Sequence, residues 1–249
     1  MKKVLIFGIV FFGWLLSSCD SYEFPPVGAE KGSISGSLAL FDEGTTQKAS
    51  SAGMRISLEG TDPLIFTFSD QFGRFELKNV PFGSYAVVYE KEGYGTFRYL
   101  GEDDGDKFEH LPEIVNSKIP HFLLGEKSTT KIQNVNVEKV VGGYRFSVEG
   151  NPGGSISRER YFSFLVSTTN PNFSERDFDY SFKYSSNSNL LVVFLPDAVY
   201  ESLLHPQTGK AYLKVYGNSY HENLYVENGR VVFPNLNPVS SELILLEKN

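Results

Sequence analysis

Apolar residues recur at every second position through most of the chain, the spacing of half-buried β-strands. The clearest run lies between Pro63 and Tyr94. Leu64, Phe66 and Phe68 share one strand face, and Asp70-Gln71-Phe72-Gly73 then supplies the residue types of a tight reversal. Phe75 and Leu77 alternate with Arg74, Glu76 and Lys78 on a return strand, Asn79 to Gly83 forms a second turn, and Tyr85, Val87 and Tyr89 follow at period two. The pattern predicts a three-stranded meander, with Gly73 and Gly83 at positive-φ turn positions. Before it, Ile34, Leu38 and Leu40, then Met54, Ile56 and Leu58, mark two earlier strands. Glu43 to Ala52 is a polar loop between them.

Beyond Gly125 to Ser128 a second set of strands begins. Val135 and Val137 alternate, as do Tyr144, Phe146 and Val148, with Val141-Gly142-Gly143 as the intervening turn. Tyr161 to Val166 and Leu190 to Leu195 are apolar enough for central strands, and residues 230–234 and 242–246 close the set. Pro196 to Leu204 can hold one helical turn. No strand–helix–strand spacing occurs, which argues against a parallel α/β enzyme fold. The fold class expected is all-β, with two tandem β-sandwich domains after a lipoprotein signal peptide.

Two resemblances refine this. The residues Ser69, Asp70, Gly73, Phe75, Asn79, Val80, Pro81, Gly83, Tyr85, Gly93 and Tyr94 follow a pattern that resembles the carboxypeptidase regulatory-like domain, a transthyretin-type β-sandwich. That resemblance implies a spacer or interaction domain with no active site. Leu204-His205-Pro206-Gln207-Thr208 followed by Tyr212 to Gly217 resembles the penultimate strand of fibronectin type III domains, where a leucine and a tyrosine pack and the hydroxyl caps backbone. It implies an immunoglobulin-like or fibronectin-like second sandwich. The expected division is 1–18 signal peptide, 19–31 lipidated cysteine and tether, 32–127 first sandwich and 128–249 second sandwich.

The first residues bear on location. Lys2 and Lys3 precede an apolar run from Val4 to Leu15, which is too short to span a membrane. Leu16-Ser17-Ser18-Cys19 resembles the lipobox of bacterial lipoproteins, which implies acylation of Cys19, the single cysteine of the 249 residues. The residues from Asp20 to Gly32, with Pro25-Pro26, read as a tether. The expected address is the envelope of a Gram-negative bacterium, as an outer-membrane lipoprotein on either face. Removing Lys2 and Lys3 leaves 23 − 2 = 21 basic against 30 acidic residues, a formal charge of −9. That charge argues against a phosphate-tracking nucleic-acid protein and against electrostatic adhesion to anionic lipid.

Candidate chemistry is sparse. His110-Leu111-Pro112-Glu113 with His221 resembles the zinc set of metallocarboxypeptidases, but two sandwiches leave no room for that catalytic fold, so no metal or cofactor is expected. Four acids between Gly101 and Asp106 lack EF-hand spacing and read as a solvated turn. No G-x-S-x-G elbow occurs, and no catalytic residue is assigned. Phe178, Tyr180, Phe182 and Tyr184 form an aromatic stripe that is either sandwich core or an exposed sugar-stacking platform. Tyr220 and Tyr225, with Tyr216 and His221, form a second aromatic–polar cluster. The expected function is a non-enzymatic interaction or accessory module for an unidentified protein partner. The alternatives are a glycan-binding lipoprotein that captures polysaccharide through Tyr180, Tyr184, Tyr220 or Tyr225, and, less favoured, a hydrolase.

Overall fold

Ile34, Leu38 and Leu40 point inward from the first strand, β1 (Lys31–Phe41), and set the floor of the first core. The computed structural model of the chain describes residues 30–101 and 107–248. The signal peptide, Cys19, most of the tether and the acid-rich turn from Glu102 to Asp106 lie outside them. The strands after β1 are β2 (Arg55–Leu58), β3 (Phe66–Phe68), β4 (Arg74–Pro81), β5 (Gly83–Tyr85), β6 (Val87–Glu90), β7 (Phe97–Tyr99), β8 (Phe108–His110), β9 (Asn116–Lys118) and β10 (Phe122–Gly125). One sheet has the order β10-β1-β4, with β9 also beside β1; the facing sheet runs β3-β2-β6-β7, and β5 pairs with β8. Between the sheets lie Met54, Ile56, Leu58, Phe75, Leu77, Val80, Val87 and Tyr89, all buried.

The expected meander does not form. β4 pairs with β1, whereas β3 and β6 both pair with β2 in the opposite sheet. Each turn therefore carries the chain from one sheet to the other. The physical reason is that the apolar face of each sheet needs a partner across the core, and Phe75 and Leu77 supply it for Met54 and Ile56. The Asp70 turn itself is as expected: its Oδ1 accepts from the backbone N–H groups of Phe72 and Arg74, both at 2.9 Å. Gly73 takes φ 78°, but Gly83 does not have a positive φ. Asn79 takes that conformation instead (φ 55°), at the bulge where β4 slips against β1.

β3 turns this pattern outward. Leu64, Phe66 and Phe68 do share a face, but it is the outer one; Phe66 and Phe68 are 51% and 56% exposed, and Phe72 beyond them 69%. Ile65 packs inward in their place.

The second module comprises β11 (Lys131–Val140), β12 (Gly143–Asn151), β13 (Arg160–Ser167), β14 (Tyr180–Ser186), β15 (Leu190–Pro196), α1 (Asp197–Ser202), β16 (Lys210–Asn218), β17 (Tyr225–Glu227), β18 (Arg230–Val232) and β19 (Ile244–Glu247). A three-stranded sheet β11-β12-β15 faces the four-stranded sheet β14-β13-β16-β19 over a core of Phe146, Val148, Phe162, Phe164, Val193 and Leu213. Both sheets are antiparallel throughout. Every residue of β13 is buried, as its apolar run predicts for a central strand. The described chain is thus almost wholly β, with one short helix where the helical turn was expected. The hydroxyl-to-backbone cap sought at Tyr212 is made by Tyr200 of that helix. Its hydroxyl donates to the Glu247 carbonyl at 3.0 Å and accepts from the Glu247 N–H at 3.1 Å, while its ring stacks on Tyr144 at 3.5 Å.

A candidate binding cleft between the modules

Polar residues the sequence reading had passed over fasten the modules together. Glu43, from the loop after β1, is 4% exposed, and its carboxylate accepts from the Thr129 N–H at 2.7 Å and the Thr129 hydroxyl. It also pairs with the buried Arg160 at the start of β13 and with Arg158 at 3.2 Å. A charge this buried is tolerated because each oxygen has charged or N–H partners. Asn235 is fully buried. Its Oδ1 accepts from the Gly95 N–H (2.9 Å), and its Nδ2 donates to the carbonyls of Gly125 (2.9 Å) and His221 (2.6 Å). Asn223 brackets Gly125 from the other side, taking its N–H and donating to its carbonyl. Only glycine fits there, since a Cβ on Gly125 would lie 2.6 Å from the His221 carbonyl oxygen.

The β17–β18 hairpin extends this joint. Tyr225 on β17 packs against the first module's core, with its ring 6.4 Å from that of Phe97. Arg98 on β7 pairs with Glu59 and Glu227. Burial, then the Glu227 carboxylate, pushes the Tyr225 hydroxyl above its ordinary pKa.

On one flank of the joint lies a cleft of about 330 Å3. Thr96 and Lys127 line it from the first module; Glu175, Arg176, Tyr216, Tyr225 and Phe233 line it from the second. A smaller hollow of about 190 Å3 lies between Asp42 and Thr46 of the first module and Arg158 and Tyr161 of the second. Tyr220, 47% exposed, leans on Tyr161, with ring centroids 5.5 Å apart. Lys183 Nζ sits 5.7 Å from the Tyr161 ring and 5.8 Å from the Tyr220 ring. Burial, reinforced by Glu159, pushes the Tyr161 hydroxyl up to about 12.

The four tyrosines singled out from the sequence are therefore not one site. Tyr225 lines the cleft, and Tyr220 packs on Tyr161 of the smaller hollow. Tyr180 and Tyr184 lie on β14. Phe178, Phe182 and Tyr184 of the aromatic stripe pack against core, Phe182 stacking on Phe164 at 4.9 Å, while Tyr180 is 45% exposed. The stripe is thus the rim of the core, with one ring left outside. His110 is fully buried, its Nδ1 2.7 Å from Ser117 Oγ, and His221 packs its ring 4.2 Å from that of Phe41. Burial lowers the pKa of both histidines, and Lys183 adds to the effect at His221. Among the described residues, no three His, Cys, Asp or Glu side chains are grouped to hold a metal ion. The signal for the joint was in the sequence as Asn223 and Asn235, but asparagines spaced along loops read as ordinary turn residues until they converge.

No protein-family model and no curated protein matches the chain. Among solved structures, a DUF3823 family protein from Parabacteroides merdae ATCC 43184 is similar at 12% identity, over 88% of this chain and 100% of that one, with a TM-score of 0.31. A mutant type II Cohesin-X-Dockerin complex from Acetivibrio cellulolyticus is similar at 21% identity, over 39% of this chain and 58% of that one, with a TM-score of 0.31. The full-length major pilin SpaD from Corynebacterium diphtheriae is similar at 13% identity, over 86% and 65%, with a TM-score of 0.26. The chain spans less than two thirds of the matched cohesin–dockerin chain and of SpaD. At these TM-scores the likenesses carry no argument about function.

Proposed function

We propose that the protein is a non-enzymatic binding module of the cell envelope, held at the outer membrane by acyl chains on Cys19, and that the cleft between its modules takes a saccharide. The cleft carries this reading. A sugar ring presents an apolar C–H face, which an aromatic ring covers, and an edge of hydroxyls, which charged and hydroxyl side chains bind. Tyr225 and Phe233 supply the first; Thr96, Glu175 and Arg176 supply the second. The volume is at the lower end of small-ligand sites, which run from about 300 to 1,000 Å3. Because the buried Glu43 and Asn235 bonds hold both walls, little ordering is left for the ligand to impose.

The test is a thermal-shift panel of plant, host and microbial polysaccharides on the purified protein. A cleft ligand at about a hundredfold excess over its Kd should stabilise by about 2.7 kcal/mol. The shift should vanish in Tyr225→Ala and persist in Tyr180→Ala, each measured against its own unliganded midpoint. Equal loss in both variants, or a shift indifferent to Tyr225, refutes the placement. The anchor is tested separately: Cys19→Ala should move the protein out of the membrane fraction, and unchanged retention refutes lipidation.

A second reading has its own observation. β3 is an edge strand whose Phe66 and Phe68, with Leu64 and Phe72, face solvent, a surface suited to pairing with an extended segment of a partner protein. Crosslinking in intact cells with and without Phe68→Lys tests it.

A further inference from the structure

Resting on the saccharide reading of the cleft, we propose that its ligand is an acidic saccharide whose carboxylate is held between Lys127 of the first module and Arg176 of the second. The charges lining the cleft are those of Lys127, Arg176 and Glu175, so two cations face one carboxylate in a chain whose formal charge is −7. The two cations differ in how far they are already neutralised. Arg176 lies 3.9 Å from Glu227, and that glutamate is held more closely by Arg98. Among the described residues, no carboxylate lies within ion-pair distance of Lys127. An exposed ammonium beside a cleft, with no ion-pair partner among the described residues, is a ready anion ligand.

The remaining residues orient the sugar. Tyr225 and Phe233 offer the ring its stacking surface, and Glu175 accepts from hydroxyls while repelling a carboxylate from its own end. The acid is thereby directed toward Lys127. A ligand so placed spans both modules, which the Glu43 and Asn235 contacts hold at fixed spacing. Uronic-acid oligosaccharides have this chemistry, an apolar ring face with one carboxylate per residue.

The experiment measures binding of oligogalacturonate and oligomannuronate to the purified full-length protein by calorimetry, each beside its carboxyl-reduced neutral counterpart. The expected result is uronate binding about tenfold or more tighter than that of the neutral oligomer, weakened by added salt. Lys127→Ala should abolish that preference, bringing uronate binding down to the level of the neutral oligomer. Because Lys127 is exposed and its side chain makes no hydrogen bond or ion pair among the described residues, this variant should keep the wild-type melting midpoint. Neutral oligomers that bind as tightly as uronates, through Tyr225 and regardless of Lys127, overturn the acidic ligand and leave the saccharide reading standing. Absence of uronate binding overturns the acidic ligand, and the saccharide reading then stands or falls on the polysaccharide panel.

Discussion

Gly73 shows how far one residue can be read in advance. Its φ of 78° was legible from the Asp-x-x-Gly turn, but the closeness of its surroundings was not: a Cβ there would lie 1.8 Å from the Leu38 carbonyl oxygen. Gly73→Ala should therefore cost well over about 1 kcal/mol, combining backbone strain with a clash against β1. Gly83→Ala should stay within about 0.5 kcal/mol, since Gly83 has no positive φ and its nearest neighbour is a tyrosine hydroxyl at 3.5 Å. Urea denaturation of both variants checks the pair; equal costs refute it. His110 makes a prediction about acid. Burial lowers its pKa, so the fold holds the neutral ring while the unfolded chain takes up a proton near the ordinary value of about 6.5. Stability should fall as pH drops from about 7 through that value, and flatten once the folded ring is protonated as well. His110→Gln should be less stable at neutral pH yet show a shallower fall in melting midpoint. An unchanged slope would show that other groups govern the acid response.

At the scale of elements, alternation correctly located most strands but not their partners. β3 and β4 meet at the turn that was expected, and yet they belong to opposite sheets, because sequence spacing says where a chain reverses and not which sheet receives it. The inversion of β3 has the same origin: on an edge strand either face satisfies a period-two pattern, and here Ile65 rather than Phe66 found the core. The start of β13 carries Arg160, which alternation cannot explain and the joint does. Arg160→Ala leaves Glu43 buried with fewer compensating partners and should cost about 3–5 kcal/mol. Removing both charges should cost less than the sum of the single changes. A double-mutant cycle by chemical denaturation measures this, and additive costs would mean that the pair is not coupled.

For the whole molecule, the joint predicts behaviour that two modules on a string would not show. With Tyr225 inserted beside the first core and Asn235 bonded to Gly95 and Gly125, the modules should unfold in one transition, with calorimetric and van't Hoff enthalpies equal. Asn235→Ala should split it in two; separate wild-type transitions would refute the coupling. This is also where sequence and tertiary structure divide. The sequence by itself determined the all-β class, the positions of the turns and most strands, and the helical turn before β16, because these follow from local periodicity and backbone preference. Only the tertiary structure decided which sheet each strand joined, which face of β3 met solvent, and that Thr96 and Lys127 share a cleft with Arg176 and Tyr225. Those outcomes depend on contacts between residues far apart in the chain, and the pattern of any one segment is compatible with several of them.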